Sequence, residues 1–308
     1  MSFPGLPRRA AYLTINNVKR RNALSLAVLR SLRDQLHDFN RGPDGKVNIL
    51  PAFKPGLVDE LEAAASTSGA GSRYSWLVDA GEWQKARAGL PNVLVLRTEG
   101  PVFSSGHDLA ELRKLPYEEV KEAFALCAEV MNLIRRSPAP VVAVVQGLAT
   151  AAGAQLAFTT DFPITLGTTK FQLPGASIGL PCTSPSTAVA RRLGSAFTYR
   201  MLAMAEPVEA QNLPAGAVEV VGDEAQLEER VAHIVDRLAQ QTAGQPQAFG
   251  KWAYWTQLSF NGASGSGADG YEDAVAWAGR VMALHARSAD AQEGVASFFE
   301  KRQPKWQT

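Results

Sequence analysis

Two loops rich in glycine, alanine and serine each follow an apolar, strand-like run and open a helix-like segment. The first is "GPVFSSGHDLAEL" at 100–112, and the second is "GLATAAGAQL" at 147–156. Small residues let a ligand approach the backbone closely, and the N–H groups at a helix start attract negative charge. Either loop alone could serve only tight helix packing. Because one amphipathic helix separates them, the pair predicts backbone amides that converge on one oxygen atom.

Proton transfer at that oxygen would require a titratable side chain nearby. The second loop carries Gln155, and the chain has no Asp or Glu between Asp161 and Glu206. An amide donates and accepts hydrogen bonds but does not exchange a proton at neutral pH. His107 and Cys182 remain as candidates, although His107 could equally cap its loop and Cys182, without an evident basic partner, could be a buried packing residue. Gln155 is either an inert hydrogen-bonded side chain or a substrate contact.

Short apolar runs and amphipathic stretches alternate along the first part of the chain. The runs that predict buried strands are 10–15, 92–98, 140–147 and 162–167. The stretches that predict helices are 24–39 and 117–137, followed by 223–243 and 271–302. Alternating strands and helices indicate a mostly parallel sheet. We therefore predict an α/β core over residues 1–194 and a helical C-terminal region over 195–308.

Two segments interrupt this pattern. Residues 41–90 form a long connection that contains "STSGAGS" and a tryptophan-bearing piece. Such a connection is usually a functional lid or an inserted surface loop. We expect a peripheral surface segment that is inserted in the sequence of the α/β core. The glycine-rich stretch 262–270 predicts a flexible loop, and its spacing is not that of a phosphate-binding loop.

Composition excludes several classes of partner. The 308 residues are 46% hydrophobic and 20% charged, and a formal net charge of +1 favours neither nucleic acid nor a membrane surface as partner. No apolar run reaches the roughly 18 residues that a membrane span needs. Two cysteines form no disulfide framework or metal motif, which fits a reducing compartment. The N-terminal residues show no targeting peptide.

Four motifs resemble the enoyl-CoA hydratase/isomerase, or crotonase, family. They are "KRRNALS" at 19–25, "FSSGHDL" at 103–109, "PAPVVAVVQGLATAAGAQLAFTTDF" at 138–162 and "DAQEGVASFFEKRQPKW" at 290–306. The resemblance implies a crotonase-like ββα-superhelix core with a helical C-terminal trimerisation region. It also implies an acyl-CoA ligand without another cofactor, and a homotrimer or hexamer. The similarity is greatest to a branch of mitochondrial animal members, so we expect a mitochondrial location, or otherwise a cytoplasmic one.

The resemblance also assigns roles to individual positions. The family polarises a thioester carbonyl with two backbone amides, which would belong to Ser105 or His107 and to Ala152. Its two hydratase glutamates would fall at Gln155 and Gly175, so both carboxylates are missing here. The remaining ligand contacts that the resemblance implies are Lys19, Arg20, Asn22 and Ala23 on the adenine side, Asp108 and Leu109 in the pocket, and Phe299 and Lys301 at a neighbouring subunit's pocket.

Three functions remain open at this point. Without the glutamate pair, two-carboxylate hydration needs a base and an acid that the chain does not supply. The chain could bind acyl-CoA without efficient hydratase activity, or act as a hydratase/isomerase or decarboxylase with His107 and Cys182, the latter aligned with a tyrosine of family decarboxylases. It could also be a non-catalytic scaffold. Whether it is an enzyme is left open by the sequence.

Overall fold

The computed structural model describes residues 3–66, 72–180, 182–260, 271–286 and 288–308. Its strands are β1 Ala10–Ile15, β2 Val93–Thr98, β3 Val141–Val145, β4 Leu148–Thr150, β5 Phe162–Leu166, β6 Lys170–Gln172, β7 Val208–Glu209 and β8 Glu219–Val221. Its helices are α1 Leu26–Asp38, α2 Leu57–Ala65, α3 Ser75–Val78, α4 Ala80–Arg87, α5 Leu109–Leu112, α6 Tyr117–Arg136, α7 Ala152–Thr159, α8 Thr183–Leu193, α9 Ser195–Met204, α10 Glu224–Asp236, α11 Gly244–Gln257, α12 Tyr271–Ala286 and α13 Ala289–Glu300. The glycine-rich stretch 262–270 lies outside the described residues.

The main sheet has five parallel strands in the order β1-β2-β3-β5-β8. All residues of β2 and β3 are buried, as expected of central strands covered on both faces. The four predicted strands form the first four positions of this sheet, and the predicted parallel α/β fold is confirmed. The next edge strand, β8, lies in the region that we predicted to be helical.

A second, smaller sheet has the order β4-β6-β7. Strands β4 and β6 are parallel, and β7 pairs antiparallel with β6. We predicted a loop at the position of β4 and a helical region at the position of β7, after Ser195. Strands of two or three residues are too short to show a period-two pattern, so the sequence did not reveal them.

The chain divides into two compact units. The sheet unit comprises Met1–Asp38, Val93–Arg135 and Pro140–Arg237. The helical unit comprises Phe39–Asn92, Arg136–Ala139 and Leu238–Thr308. This division does not coincide with the predicted boundary between 194 and 195, because residues 195–237 belong to the sheet unit and the 41–90 segment groups with the C-terminal helices.

The helical unit has its own aromatic core. Trp76 stacks on Trp83 at a ring-centroid distance of 5.7 Å, and Trp252 lies 5.6 Å from Trp277. The indole N–H of Trp252 donates to the Ala52 carbonyl at 3.1 Å. The 41–90 segment therefore contributes buried side chains to a core and is not the peripheral loop we expected. Among the described residues, no helix has the length and apolar character to span a membrane.

Candidate functional site

The loop that follows β2 is held against β4. The Ser104 N–H donates to the Leu148 carbonyl at 3.2 Å, and the Thr150 N–H donates to the Ser104 carbonyl at 3.0 Å. A Cβ on Gly153 would lie 2.5 Å from the Ser104 carbonyl oxygen, so only glycine allows the first turn of α7 to approach this closely. The two loops singled out in the sequence are thus in direct contact.

Gly106 brings the loops together at the start of α7. Its φ is +80°, and a Cβ there would lie 3.3 Å from the Ala152 nitrogen and 2.9 Å from the Ala151 Cβ. Both the left-handed backbone and the crowding require glycine. Because His107 follows Gly106 directly, the backbone of His107 and the N-terminus of α7 are neighbours.

In the described part of the chain, the N–H group of His107 in the first loop and those of Ala152, Gly153 and Ala154 in the first turn of α7 donate to no backbone acceptor. Of the three at the helix start, the Ala152 nitrogen is the one that Gly106 approaches. Ser105, the other candidate in the first loop, is engaged, because its N–H donates to the Arg21 carbonyl at 3.0 Å. The N–H of Gly106, between the two candidates, donates to Ser104 Oγ at 3.2 Å. Of the two amides left open by the sequence, only that of His107 is thus available to a ligand.

Ala151 holds an uncommon backbone conformation at the entry to α7, with φ 51° and ψ −121°. L-residues other than glycine rarely adopt positive φ, and such conformations cost about 1–3 kcal/mol each. The Ala151 N–H donates to the Gln172 carbonyl at 2.9 Å, which ties the strained residue to β6. The strain lies one residue before the Ala152 amide.

Asn22 fastens residues 17–24 to the loop that follows β2. Its side-chain Nδ2 donates to the carbonyls of Glu99 at 2.8 Å and Val102 at 2.7 Å, and its Oδ1 accepts from the Asn17 N–H at 3.0 Å. The Asn22 carbonyl accepts from Ser104 Oγ at 2.8 Å. Asn22 is 1% exposed, and its side-chain amide is engaged within the protein. Its contact on the adenine side of the ligand stays a prediction.

Arg20 forms an ion pair with Asp108, in which Nη2 of the guanidinium donates to both carboxylate oxygens, at 2.6 and 2.9 Å. Burial tends to raise the pKa of Asp108, but Arg20 and the amides of Glu111 and Ala110 outweigh it, so the pKa lies below its usual value. Asp108 is therefore a stable anion that caps α5 and is a poor proton acceptor. The predicted ligand contacts at the surface of this region are Lys19 and Leu109, which are exposed, whereas Ala23 is buried.

His107 packs its ring edge-on against Phe124, at a centroid distance of 4.8 Å. Burial lowers the pKa of His107, and a hydrogen bond with the Leu24 backbone opposes that effect only in part. The imidazole is therefore neutral at pH 7. Its Nδ1 is buried and has no hydrogen-bond partner among the described residues.

The two positions of the missing glutamates are both buried. Gln155, on α7, is 6% exposed, and its Oε1 has no hydrogen-bond partner within the described residues. A Cβ on Gly175 would lie 2.2 Å from the Leu180 carbonyl oxygen and 2.9 Å from Cys182 Sγ. A carboxylate side chain at Gly175 would therefore collide with Leu180 and Cys182 unless these residues moved.

Cys182 lines a small cavity of about 360 Å³ together with Gly175, Ser186 and Leu202. Burial raises the pKa of its thiol, and a hydrogen bond with the Gly175 backbone reduces that rise. The thiol is therefore protonated at neutral pH and is a weak nucleophile. No cluster of three or more His, Cys, Asp or Glu side chains suited to a metal ion occurs in the part of the chain that the structure describes.

Phe299 and Lys301 belong to the helical unit. Phe299 is 77% exposed at the end of α13, and Lys301 follows it in a left-handed conformation that closes the helix. Their assignment to a neighbouring subunit's pocket stays a prediction. Ser104 and Thr150, which hold the two loops together, were not among the predicted site residues, although both lie within the two loop motifs.

A family model described as "Enoyl-CoA hydratase/isomerase" matches residues 90–308. The chain belongs to this family. It is 33% identical to the rat protein "Enoyl-CoA hydratase domain-containing protein 3, mitochondrial" over 296 residues, which cover 96% of this chain and 80% of the rat protein. The human protein of the same name is 32% identical over 298 residues, which cover 96% of this chain and 79% of the human protein.

Solved structures agree with this assignment. The crystal structure of human enoyl Coenzyme A hydratase domain-containing protein 3 matches with a TM-score of 0.72 at 30% identity and covers 97% of each chain. An enoyl-CoA hydratase from Mycobacterium smegmatis matches with a TM-score of 0.73 at 29% identity, covering 99% of this chain and 98% of its own. The predicted crotonase fold is confirmed over almost the whole chain.

Proposed function

We propose that the chain binds an acyl thioester of coenzyme A and holds the thioester carbonyl oxygen between the N–H groups of His107 and Ala152. The observation that carries this proposal is the close packing of Gly106, the residue before His107, against the Ala152 nitrogen, together with the lack of a backbone acceptor for both amides in the described chain. Two preorganised donors form an oxyanion hole, in which each donor typically contributes about 3 kcal/mol to transition-state stabilisation. The names of the relatives, which refer to enoyl-CoA, support the same ligand class.

Hydration of an enoyl-CoA is not the activity that we propose. Gln155 cannot exchange protons, and the backbone around Gly175 leaves no room for a carboxylate. A second candidate is decarboxylation of a carboxyacyl thioester, because loss of carbon dioxide generates an enolate without a protein base. The raised pKa of Cys182 favours His107 over Cys182 as the polar group in such a reaction. A scaffold without turnover is the third candidate.

Further parts of the proposal concern the rest of the ligand and the assembly. Lys19 is exposed and can meet a CoA phosphate, whereas Arg20 would first have to leave Asp108. We expect no cofactor beyond the CoA moiety of the ligand. A homotrimer or hexamer is proposed from the family, with Phe299 and Lys301 near a neighbouring pocket. The relatives named mitochondrial support a mitochondrial location.

The test compares three ligands by calorimetry: acetyl-CoA, its thioether analogue S-ethyl-CoA, and free CoA. S-ethyl-CoA has a methylene group in place of the carbonyl, so it is matched in size but cannot occupy the amide pair. Two hydrogen bonds with a net value of about 1 kcal/mol each predict a preference for acetyl-CoA of roughly tenfold or more. Ala152→Pro removes one donor and should reduce that preference, provided that circular dichroism shows a folded protein.

Equal affinity of the wild-type protein for acetyl-CoA and S-ethyl-CoA would rule out the oxyanion hole. The scaffold hypothesis would then lead. This comparison needs no variant, so it remains decisive even if Ala152→Pro does not fold.

A further inference from the structure

The 41–90 segment encloses a cavity of its own within the helical unit. The cavity has a volume of about 550 Å³, and all of its lining residues lie between Asp44 and Ala86. Cavities of this size bind small organic molecules when a few polar groups point into an apolar lining. The lining includes no residue of the loops that carry His107 and Ala152. The cavity is therefore a different site from the amide pair.

Two mostly buried aromatic residues of the lining have unpaired hydrogen-bond donors. Tyr74 is 9% exposed and Trp76 is 6% exposed. The phenol O–H of Tyr74 and the indole N–H of Trp76 have no acceptor among the described residues, and both polar atoms retain some accessible surface. The cavity is the open space that these two residues share. A donor at a mostly buried residue needs an acceptor, which here has to come from water or a ligand.

The cavity lining also has a cation without a carboxylate partner. The two lysines of the lining are each paired with a carboxylate, at 3.3 Å for Lys46 with Asp44 and at 2.7 Å for Lys85 with Glu82. The Arg73 guanidinium lies 5.5 Å from the centroid of the Tyr74 ring, and no carboxylate in the described chain pairs with it. The unbalanced charge of the lining is therefore positive and lies beside the Tyr74 ring.

A second arginine lies close to Arg73 and Tyr74. Burial lowers the pKa of Arg136, the Tyr74 phenol raises it, and the positive charge of Arg73 lowers it further. Effects of one charge on another fall off over roughly 10 Å, so the two guanidinium groups are neighbours. Arg136 Nε donates to the Leu50 carbonyl at 2.7 Å, and Arg136 likewise has no carboxylate partner in the described ranges. A bound anion would relieve the repulsion between these two cations.

We propose that this cavity binds a small organic anion whose carboxylate or phosphate group accepts hydrogen bonds from Arg73, Tyr74 and Trp76. These three side chains all present donors, and the planar fork of arginine matches the paired oxygens of either anion. The apolar part of the ligand packs against Val47 and Ile49, which also line the cavity. The inference goes beyond the proposed function and does not depend on it, because the two sites share no residue.

The test measures equilibrium dialysis of three naphthalene compounds: 2-naphthoate, 2-naphthyl phosphate and the neutral 2-naphthamide. The wild-type protein should bind at least one of the two anions about tenfold tighter than the amide, because hydrogen bonds to a charged acceptor are stronger than those to a neutral one. The anion that binds tighter identifies the charged group of the ligand. Saturating acetyl-CoA should leave both affinities unchanged, because it does not compete for this cavity.

Two variants assign the binding to this cavity. Arg73→Gln should abolish most of the preference for the anions, and Tyr74→Phe, which removes only a hydroxyl, should weaken anion binding by about fivefold. Arg73 is exposed, so its replacement should not impair folding. Arg200→Gln is the matched control. It removes the same charge from an exposed position on α9, outside the cavity lining, and should keep the preference.

Equal affinity of the wild-type protein for the amide and both anions would overturn the inference. An affinity for inorganic phosphate as high as that for the tighter organic anion would also overturn it, because the cavity would then hold an adventitious ion only. Displacement of the anions by acetyl-CoA would assign them to the acyl-CoA site and would count against the inference in the same way. These comparisons use the wild-type protein and remain decisive if a variant does not fold.

Discussion

Gln155 and Gly175, the positions of the two missing glutamates, differ in how much the structure would have to change to accept a carboxylate. Gln155 has nearly the shape of glutamate and lies on a rigid helix, so a carboxylate there needs no change of backbone. At Gly175, the Leu180 carbonyl oxygen would lie 2.2 Å from the first side-chain carbon. The loss of the second carboxylate is therefore built into the local backbone, and the two positions are not equivalent.

We expect crotonyl-CoA hydration by the wild-type protein to lie at least orders of magnitude below that of a two-glutamate relative. Gln155→Glu should fold and still lack hydratase activity, because one carboxylate cannot act as both base and acid in separate places. Gly175→Glu should lower the melting temperature, since the backbone of Leu180 and Cys182 must shift to admit the side chain. A steady-state absorbance assay measures the hydratase rates of the wild-type protein and of Gln155→Glu. A robust hydratase rate from wild-type protein that disappears in Gln155→Ala would contradict this expectation.

Ala151 stores backbone strain that glycine would release. Its φ of 51° with ψ of −121° is a conformation that glycine adopts readily. We expect Ala151→Gly to raise the free energy of unfolding by about 1 kcal/mol, the strain relieved exceeding the entropy lost. Ala154→Gly, in the same buried helix but with ordinary helical geometry, is the control and should lose about 1 kcal/mol or more. Denaturant unfolding compares the two, and a loss of similar size in both variants would show that Ala151 is not strained.

At the scale of elements, the loop at 17–24 positions the amide of His107. Asn22 binds the carbonyls of Glu99 and Val102, and its own carbonyl accepts from Ser104 Oγ, three residues before His107. Asn22 has φ 53°, a left-handed conformation that asparagine tolerates better than most residues. Its conformation and its amide thus serve the same function, which is to hold the loop after β2.

Asn22→Gly keeps the left-handed conformation and removes three side-chain hydrogen bonds. We expect a loss of about 2–4 kcal/mol in the free energy of unfolding, at roughly 1 kcal/mol for each bond. The preference for acetyl-CoA over S-ethyl-CoA should also fall, because the His107 amide loses its support. Arg21→Gly is matched, since Arg21 has φ 54° and an exposed side chain, and its stability should be unchanged or higher. An unchanged ligand preference in folded Asn22→Gly would limit Asn22 to a stabilising role.

The elements also show what a single sequence can predict. The first strand was predicted with the residues it has, Ala10–Ile15, because an apolar run bounded by proline, glycine and polar residues is a local signal. The three residues of β4 carried no such signal. The hydrogen bonds of Asn22 reach across 77 and 80 residues of sequence, so no local pattern could predict them. The sequence indicated that the glycines of the two loops allow a close approach of the backbone. It did not indicate which atoms approach them, such as the Ser104 carbonyl oxygen at Gly153.

At the scale of the whole molecule, the 41–90 segment and the C-terminal helices share one buried core. The indole N–H of Trp277, on α12, donates to the Pro55 carbonyl at 2.9 Å, and Arg280 pairs with Asp59 and Glu62 on α2. A deletion of the segment would expose the aromatic cluster. Residues 41–90 therefore stabilise the core of the helical unit. The glycine and serine residues of this segment did not suggest that role.

The C-terminal helix α13 leaves apolar side chains in solvent. Val295 is 60% exposed, and Phe298 and Phe299 are each 77% exposed. They line an apolar groove of about 680 Å³ together with Trp306. Exposed apolar residues in such a contiguous patch usually mark a site of association. The patch predicts self-association, and the family resemblance implies a trimer or hexamer, so we expect light scattering to give three or six times the chain mass of 33.0 kDa.

The double variant Phe298→Ser, Phe299→Ser should lower that mass, because it replaces the two most exposed apolar side chains of the patch with polar ones. Tyr199→Ser is the control: Tyr199 is 73% exposed on α9, outside the patch, and its replacement should leave the mass unchanged. A monomer of the wild-type protein at micromolar concentrations would contradict the prediction. An unchanged oligomer in the double variant would instead place the contacts between copies on another surface, because a patch that is buried between subunits cannot lose two phenylalanine rings without weakening their association.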